Sequence, residues 1–322
     1  MKGITTTLPQ RRVLNLLALI AFLLFGNVVQ ASPPADSGAA SLEGRWDISI
    51  TMNGKPQPSW LEVRHSGLHT LVGDFVGTSG SARPISRINF ENNKFSFSIP
   101  PQWENGNDVF VAGTLGNNRL TGTIVWPDGK SYDWQAVRAP SLRRQNEPVW
   151  GQPIKIFNGT DLKGWHAMGQ NQWVVENGVL RSPRSGANLV TDEKFNDFKL
   201  HIEFRYPKES NSGIYLRGRY EVQVSDNKGM DPLRDYFGAI YGFIAPNQMA
   251  AKDAGEWQEY DITLVGRNVT VIANGKTIIC NQDIPGITGG ALDSNEGEAG
   301  PLLIQGDHGP VEYRNIVLTP AK

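Results

Sequence analysis

Four polar residues of different chemistry fall on two neighbouring predicted strands. Tyr215 and Arg217 alternate with apolar residues on the first strand, and Glu221 and Gln223 alternate with apolar residues on the second. Because successive side chains of a strand point to opposite faces, the alternation predicts that all four share one face. A phenol, a guanidinium, a carboxylate and an amide together could bind a polyhydroxylated ligand and move protons on it. The alternative is an ordinary solvent face with a weak Arg217–Glu221 ion pair.

His308 is a second candidate acid or base. It lies in a Gly-bounded segment near the end of the chain, and its ordinary pKa is close to neutral. The alternative is that it only closes a turn. Candidate ligand-binding side chains are amides and aromatic rings, namely Asn211, Tyr215, Gln223, Tyr241, Trp257 and Gln305. Asn211 also suits a turn, and Trp257 also suits a core position.

A divalent metal is an open expectation. His201 and Glu203 lie two residues apart on a predicted strand, so their side chains point the same way. Glu221, Asp307 or His308 could complete a site of oxygen and nitrogen ligands. A His and a Glu at this spacing are also common by chance, and the sequence by itself requires no cofactor.

The elements that must position these residues are predicted to be strands throughout. Short alternating segments are separated by tight turns such as Asn177-Gly178 and Asn274-Gly275, where two consecutive positive φ angles suit a hairpin. Within residues 44–140 no segment of useful length has the period of a helix. We therefore predict an all-β protein with two domains: a small antiparallel β-barrel-like domain at residues 42–140 and a jelly-roll sandwich at 154–322. The Pro-rich segment 141–153 is predicted to be a linker.

The first 31 residues predict export. Three basic residues precede an apolar run of 14 residues at 13–26, and small or branched residues follow it. The run is shorter than the roughly 20 residues that span a bilayer, which favours a cleaved signal peptide over the alternative of a membrane anchor. Residues 32–41 read as a flexible linker. We expect a periplasmic or secreted protein with no stable membrane insertion after cleavage.

Composition narrows the classes of partner. Removal of residues 1–31 would change the formal net charge from −1 to −4. A negative net charge does not indicate a nucleic-acid-binding protein. Cys280 is the only cysteine, which excludes an internal disulfide and a lipid-bearing cysteine at the cleavage site. Its apolar surroundings in the sequence predict a buried, inert thiol. The sequence does not indicate an oligomeric state.

Four motifs in the second half resemble, in order, the 3-keto-disaccharide hydrolase domain, over about residues 154–319. They are FNGTDLKGW at 157–165, WVVENGVL at 173–180, NSGIYLR at 211–217 with YEVQ at 220–223, and the segment 300–315. The resemblance implies a concanavalin A-like jelly roll of two antiparallel sheets. It also implies cleavage of glycosides that carry a ketone at sugar carbon 3, such as 3-keto-disaccharides.

The strand at 221–226 departs from that of laminarinase-type glycosidases of the same fold, which carry Glu-x-Asp-x-x-Glu. Gln223 replaces the central Asp and Asp226 the last Glu, so a retaining mechanism with two carboxyl groups is not expected. A ketone at carbon 3 acidifies the hydrogen at carbon 2 and allows elimination followed by hydration. We expect Glu221 as the base, His308 as the alternative base or the acid, and Arg217 beside the enolate oxygen. The alternatives are a non-catalytic, lectin-like sugar-binding module and a scaffold domain of the cell envelope.

Overall fold

The computed structural model describes residues 41–103 and 105–322. These residues belong to one compact unit, and their regular elements are all strands. None of them forms a helix long and apolar enough to cross a membrane. The predicted signal peptide and most of the predicted flexible linker lie outside the described residues. The all-β prediction is confirmed.

The first eight strands close into an antiparallel barrel, in which each strand pairs with the next and β8 pairs with β1. Its interior is filled by alternate residues of each strand, including Trp46, Phe97 and Trp134. The strands are β1 (Gly44–Met52), β2 (Lys55–Ser66), β3 (Thr70–Val76), β4 (Arg83–Glu91), β5 (Lys94–Ile99), β6 (Val109–Gly116), β7 (Arg119–Val125) and β8 (Ser131–Arg138).

The remaining strands form two sheets that pack face to face, as predicted for the sandwich. They are β9 (Ile154–Lys155), β10 (Trp165–Ala167), β11 (Val174–Glu176), β12 (Val179–Ser182), β13 (Leu189–Thr191), β14 (Phe198–Arg205), β15 (Asn211–Leu216), β16 (Tyr220–Ser225), β17 (Gln258–Val265), β18 (Asn268–Ala273), β19 (Lys276–Asp283), β20 (Leu303–Ile304) and β21 (Val311–Pro320). One sheet has the order β10-β13-β20-β15-β16, and the other has β11-β12-β21-β14-β17-β18-β19 with β9 on β21.

The period-two alternation decides what each sheet buries. In β14 and β16 every second residue enters the core between the sheets, as Phe204 and Tyr220 do. Three barrel residues, Trp60, Val76 and Ala82, join this same core, and Trp60 meets Phe243 edge to face at 5.3 Å between ring centroids. The barrel and the sandwich therefore share apolar contacts.

Segment 141–153 and Cys280 depart from simple sequence patterns. Arg144 in this segment makes a bidentate contact of 2.6 and 3.0 Å with Asp197 of the sandwich, so the segment is attached to the second sheet.

The prediction of a buried thiol is wrong because Cys280 is exposed. Irregular pairing between β18 and β19 lets Ile278 and Ile279 both enter the core, and the following residue therefore faces outward.

Candidate functional site

The candidate site lies on the outer face of the five-stranded sheet, on β15 and β16. Glu221 stands directly opposite Tyr215, and Gln223 stands directly opposite Gly213. These positions alternate with core residues such as Val222, so the two polar side chains of β16 share one face as predicted. Next to them β20 leads into Gln305, whose N–H donates to the Gly213 carbonyl at 2.9 Å.

Loops make this face a partly enclosed site instead of an open solvent surface. Along the free edge of β16 the N–H of Tyr241 donates to the carbonyl of Glu221 at 3.0 Å. At the same edge the Thr288 hydroxyl accepts the N–H of Glu221 at 3.0 Å and donates to the Arg219 carbonyl at 3.2 Å. As a result Glu221 is only 4% exposed, although it lies on the outer face of its sheet.

Glycine at position 213 provides the space for the Glu221 carboxyl. A Cβ at position 213 would lie 2.1 Å from Glu221 Oε1, which is far inside the distance that real atoms tolerate. A glycine in the interior of a strand often marks a close approach of this kind. The carboxyl therefore lies across the backbone of β15.

Burial changes the protonation of Glu221. Loss of hydration raises the pKa of Glu221 to about 8, more than the hydrogen bond from Tyr215 and the charge of His308 lower it. The Tyr215 hydroxyl lies 2.9 Å from Glu221 Oε2 and 3.0 Å from the Gly289 carbonyl. This hydroxyl has one proton. When Glu221 is protonated it can donate to Tyr215, and Tyr215 can then donate to Gly289.

Asp307 and His308 form the second ionisable unit of the site. Nδ1 of His308 lies 2.7 Å from Asp307 Oδ1. This hydrogen bond and charge raise the pKa of His308, and the Glu221 carboxylate raises it further. In turn the charge of His308 lowers the pKa of Glu221. Because Nδ1 is held by the aspartate, Nε2 is the nitrogen left for a ligand.

Amide groups surround the two ionisable units. Gln223 Nε2 lies 3.1 Å from Asn211 Oδ1. Rotation of the Gln223 amide by 180° instead lets its nitrogen donate to Glu221 Oε1 at 3.2 Å and to the Ser212 carbonyl at 3.1 Å. Oε1 of Gln305 is buried and accepts no hydrogen bond from the described residues. A buried acceptor without a donor is costly, and a hydroxyl of a ligand would satisfy it.

Tyr241 also belongs to this neighbourhood. It lies next to Glu221 along the sheet edge and is partly buried. Burial and the Glu221 charge raise the pKa of Tyr241 to about 12, so its hydroxyl stays neutral. The structure thus brings together Glu221, His308, Tyr215, Gln223, Asn211, Gln305 and Tyr241.

Arg217 is not part of this group, and the prediction that it shares the face of Tyr215 is wrong. Its φ of 53° ends the strand alternation at the turn after β15. Its guanidinium is 1% exposed and donates from Nη2 to the Tyr220 hydroxyl at 2.9 Å and to the Gly266 carbonyl at 3.0 Å. Arg217 therefore links the two sheets inside the core.

Trp257, His201 and Glu203 belong to the other sheet and do not join Glu221. Trp257 is covered by the guanidinium of Arg314 at 3.9 Å from its ring centroid. Glu203 binds that same arginine at 2.6 Å, and His201 Nδ1 lies 2.8 Å from Asp261. Among the described residues no group of three or more His, Cys, Asp or Glu could hold a metal ion. The His201–Glu203 metal site is thus corrected to a network of ion pairs, while metal dependence of the protein stays a prediction.

Three supporting residues were missed by sequence reasoning. Gly213 carried a signal, because a glycine inside a strand often marks a close approach. Asp307 is the sequence neighbour of His308, but the sequence predicts it only as a possible metal ligand. Thr288 lies in an irregular stretch without periodicity, and only the folded chain shows that it reaches β16.

Comparison with known proteins places the sandwich in a family. Residues 152–319, just over half of the chain, match the family described as the 3-keto-alpha-glucoside-1,2-lyase-like domain. The chain belongs to this family. The matched range contains both β15 and β16 and the Asp307-His308 pair, so the whole candidate site lies inside the 3-keto-alpha-glucoside-1,2-lyase-like domain. The barrel lies outside the match.

Two relatives illustrate the range of similarity. A protein of Bacteroides thetaiotaomicron named 3-keto-disaccharide hydrolase is 30% identical over an alignment of 166 residues; the match covers 39% of this chain and 57% of that protein. The chain thus spans a little over half the length of this relative. A solved structure from Parabacteroides distasonis, described as a proposed glycosyl hydrolase, has a TM-score of 0.45 and 30% identity, and covers 56% of this chain and 96% of its own.

Proposed function

We propose that the protein cleaves 3-keto-glycosides, including 3-keto-disaccharides, by elimination and hydration at the site around Glu221 and His308. The observation that carries this proposal is a buried Glu221 carboxyl of raised pKa that interacts through charge with His308, whose Nδ1 lies 2.7 Å from Asp307. Perturbed acid and base groups that face each other are typical of sites that transfer protons. Membership of the family and the name of the Bacteroides relative support the substrate class.

The pKa values favour one division of roles over the one expected from sequence. Below pH about 8 Glu221 carries a proton and is suited to be an acid. His308, oriented by Asp307, is the group suited to take the proton from carbon 2 through Nε2. The C2–H electrons form the enolate of the ketone, the C1–O bond breaks as the C1=C2 bond forms, and the Glu221 proton goes to the departing oxygen.

Hydration restores both groups. Water adds to C1 and gives a proton to the Glu221 carboxylate, while the His308 imidazolium returns a proton to C2. The sum of the two half-reactions is hydrolysis of the glycosidic bond, and each residue ends in its starting protonation state. The role first expected for Arg217 falls to neutral donors, since the Asn211 and Gln223 amides face the same surface and could bind the enolate oxygen.

The remaining polar groups would bind hydroxyls of the sugar. Gln305 Oε1 accepts no hydrogen bond within the part of the chain that the structure describes, and a hydroxyl would satisfy it. Tyr241 borders the face as an aromatic wall. From residues 1–31 we also propose that the protein acts in the periplasm or outside the cell. A lectin-like module is the second candidate, but a site built only for binding needs neither a carboxyl of raised pKa nor an Asp–His pair.

Turnover of 3-keto-trehalose by the purified protein tests the proposal, with release of glucose and 3-ketoglucose as the readout. Glu221→Gln keeps the shape and a hydrogen bond to Tyr215 but carries no transferable proton. We expect this change to reduce kcat by at least about 100-fold, within the range for loss of a general acid. Glu176→Gln, an exposed change on β11, is the matched control and should retain full turnover.

Two outcomes would contradict the proposal. Turnover of Glu221→Gln within a factor of about two of the unaltered protein would exclude Glu221 as the proton donor. Saturable binding of 3-keto-trehalose without release of either sugar would favour the lectin-like alternative. The unfolding temperature of each variant shows whether the fold is retained.

A further inference from the structure

A cavity of about 440 Å³ opens at one end of the barrel, outside the matched domain. An eight-stranded barrel is just wide enough for its side chains to fill the interior or for one small ligand to enter. The floor of this cavity is apolar and is formed by Met52, Phe75, Ile99 and Val109. Its volume lies within the usual range for small-molecule sites.

The walls of the cavity carry flat aromatic surfaces. Trp103 at the rim is 62% exposed, and Trp126 and Tyr132 are partly buried beside it. Rings of this kind provide large contact areas and favour stacked or edge-to-face contacts with another ring. The lining therefore matches a ligand with a planar apolar body.

Among the described residues, one cation at the rim has no charged partner. Asp128 and Lys130 bind each other at 2.8 Å. Arg83 lines the same cavity and is partly buried, yet within residues 41–103 and 105–322 its guanidinium makes no hydrogen bond or ion pair. Five N–H donors in a fixed fork match a carboxylate in bidentate geometry.

The rim around Arg83 is held in place before any ligand arrives. Gln102 Oε1 accepts the N–H of Ser81 at 3.1 Å, and Gln102 Nε2 donates to the Ser81 hydroxyl at 3.2 Å. The same rim contacts the sandwich, where the N–H of Gly290 donates to the Thr78 carbonyl at 3.1 Å. A rim that is already organised lowers the entropic cost of binding.

We propose that the mouth of the barrel is a binding site for a small aromatic monocarboxylate. The ring would lie between Trp103, Trp126 and Tyr132 over the apolar floor, and the carboxylate would bind Arg83. A neutral sugar suits the cavity less well, because hydroxyls that lie against that floor would lose hydration there and because a neutral sugar brings no charge to bind Arg83. The proposal does not depend on the reaction at Glu221, since no residue of the candidate site lines the cavity.

Isothermal titration calorimetry of the full-length protein with cinnamate tests this site. We expect saturable one-to-one binding, and we expect cinnamyl alcohol, which has the same ring but no carboxylate, to bind at least about tenfold more weakly. Arg83→Gln should weaken cinnamate binding by a similar factor. Arg87→Gln, an exposed change on the same strand β4, is the matched control and should bind as the unaltered protein does.

Three results would overturn the proposal. The first is the absence of saturable cinnamate binding at millimolar concentration. The second is equal affinity of Arg83→Gln and the unaltered protein for cinnamate. The third is saturable binding of trehalose that Arg83→Gln weakens, together with no binding of cinnamate. An unchanged unfolding temperature of Arg83→Gln confirms that a lost signal reflects the site. If Arg83→Gln still turns over 3-keto-trehalose, a loss of cinnamate binding concerns the barrel site and not the proposed reaction at Glu221.

Discussion

At the scale of single residues, the candidate site combines two groups whose protonation is set by different neighbours. Glu221 is uncharged below pH about 8 because it has lost hydration. His308 has a raised pKa because Asp307 lies at 2.7 Å. The proposed mechanism needs neutral His308 and protonated Glu221. We therefore expect kcat/KM to rise through the pKa of His308 and to fall again near pH 8.

Asp307→Asn should move the acidic limb of this pH profile to lower pH. Asp307 raises the pKa of His308, so the loss of its charge lowers that pKa and leaves the imidazole neutral at more acidic pH. A pH–rate profile between pH 5 and 9 measures the shift. Asp192→Asn removes the partner of the exposed His166, at 2.6 Å, and is the matched control. An acidic limb that stays in place or moves upward would contradict the assignment of His308 as the base.

At the scale of elements, β15 and β16 act as a pair. Each outward side chain of β16 stands opposite a residue of β15 that accommodates it, with Tyr215 opposite Glu221 and Gly213 opposite Gln223. The glycine also leaves the room that Glu221 Oε1 occupies. Position 213 thus controls the place of the carboxyl without supplying any chemistry of its own.

Gly213→Ala should therefore displace the Glu221 carboxyl and lower turnover of 3-keto-trehalose by about 100-fold or more, since small misplacements of a reacting group are costly. The backbone at 213 is extended and accepts alanine, so we expect the fold to form. Gly116→Ala, where an added Cβ has no neighbour within 4 Å, is the control. Full turnover of Gly213→Ala would show that the position of this carboxyl is unimportant.

At the scale of the whole molecule, the barrel and the sandwich share a buried charged cluster. Glu296 accepts bonds of 3.0 and 2.7 Å from Arg267 and one of 2.8 Å from Tyr220. Asp47 of β1 lies close to Glu296. Burial, and to a smaller extent the charge of Glu296, raises the pKa of Asp47 to about 9. Burial thus favours a protonated Asp47 beside Glu296, where the barrel contacts the sandwich.

Asp47→Asn should make the stability of the protein less dependent on pH. An unfolded aspartate ionises near pH 4, so the folded protein binds more protons and loses stability as pH rises from there toward 9. Asparagine cannot ionise and avoids this loss. We expect the unfolding temperature of the variant, relative to the unaltered protein, to increase by roughly 3 °C or more between pH 5 and 9.

Asp133→Asn on the exposed side of β8 is the control for this effect and should follow the unaltered protein at every pH. Parallel curves of unfolding temperature for Asp47→Asn and the unaltered protein would contradict the raised pKa of Asp47. The comparison needs only thermal unfolding, so it is independent of any assumption about substrate.

The sequence by itself determined the all-β fold, the sandwich and the shared face of Tyr215, Glu221 and Gln223. Period-two alternation and hairpin turns are local properties of the chain, and they persist in the folded state. Alternation failed at Arg217, because the positive φ of a tight turn redirects the side chain.

Only the tertiary structure decided the surroundings of Glu221 and the formation of the cavity at the mouth of the barrel. The loops that carry Thr288 and His308 are distant from β16 in the chain and have no periodicity that predicts their contact with it. The raised pKa of Glu221 follows from burial by such loops, and burial depends on packing between distant segments. For the same reason the partly buried Arg83 at the barrel mouth could be recognised only once the strands around it had closed.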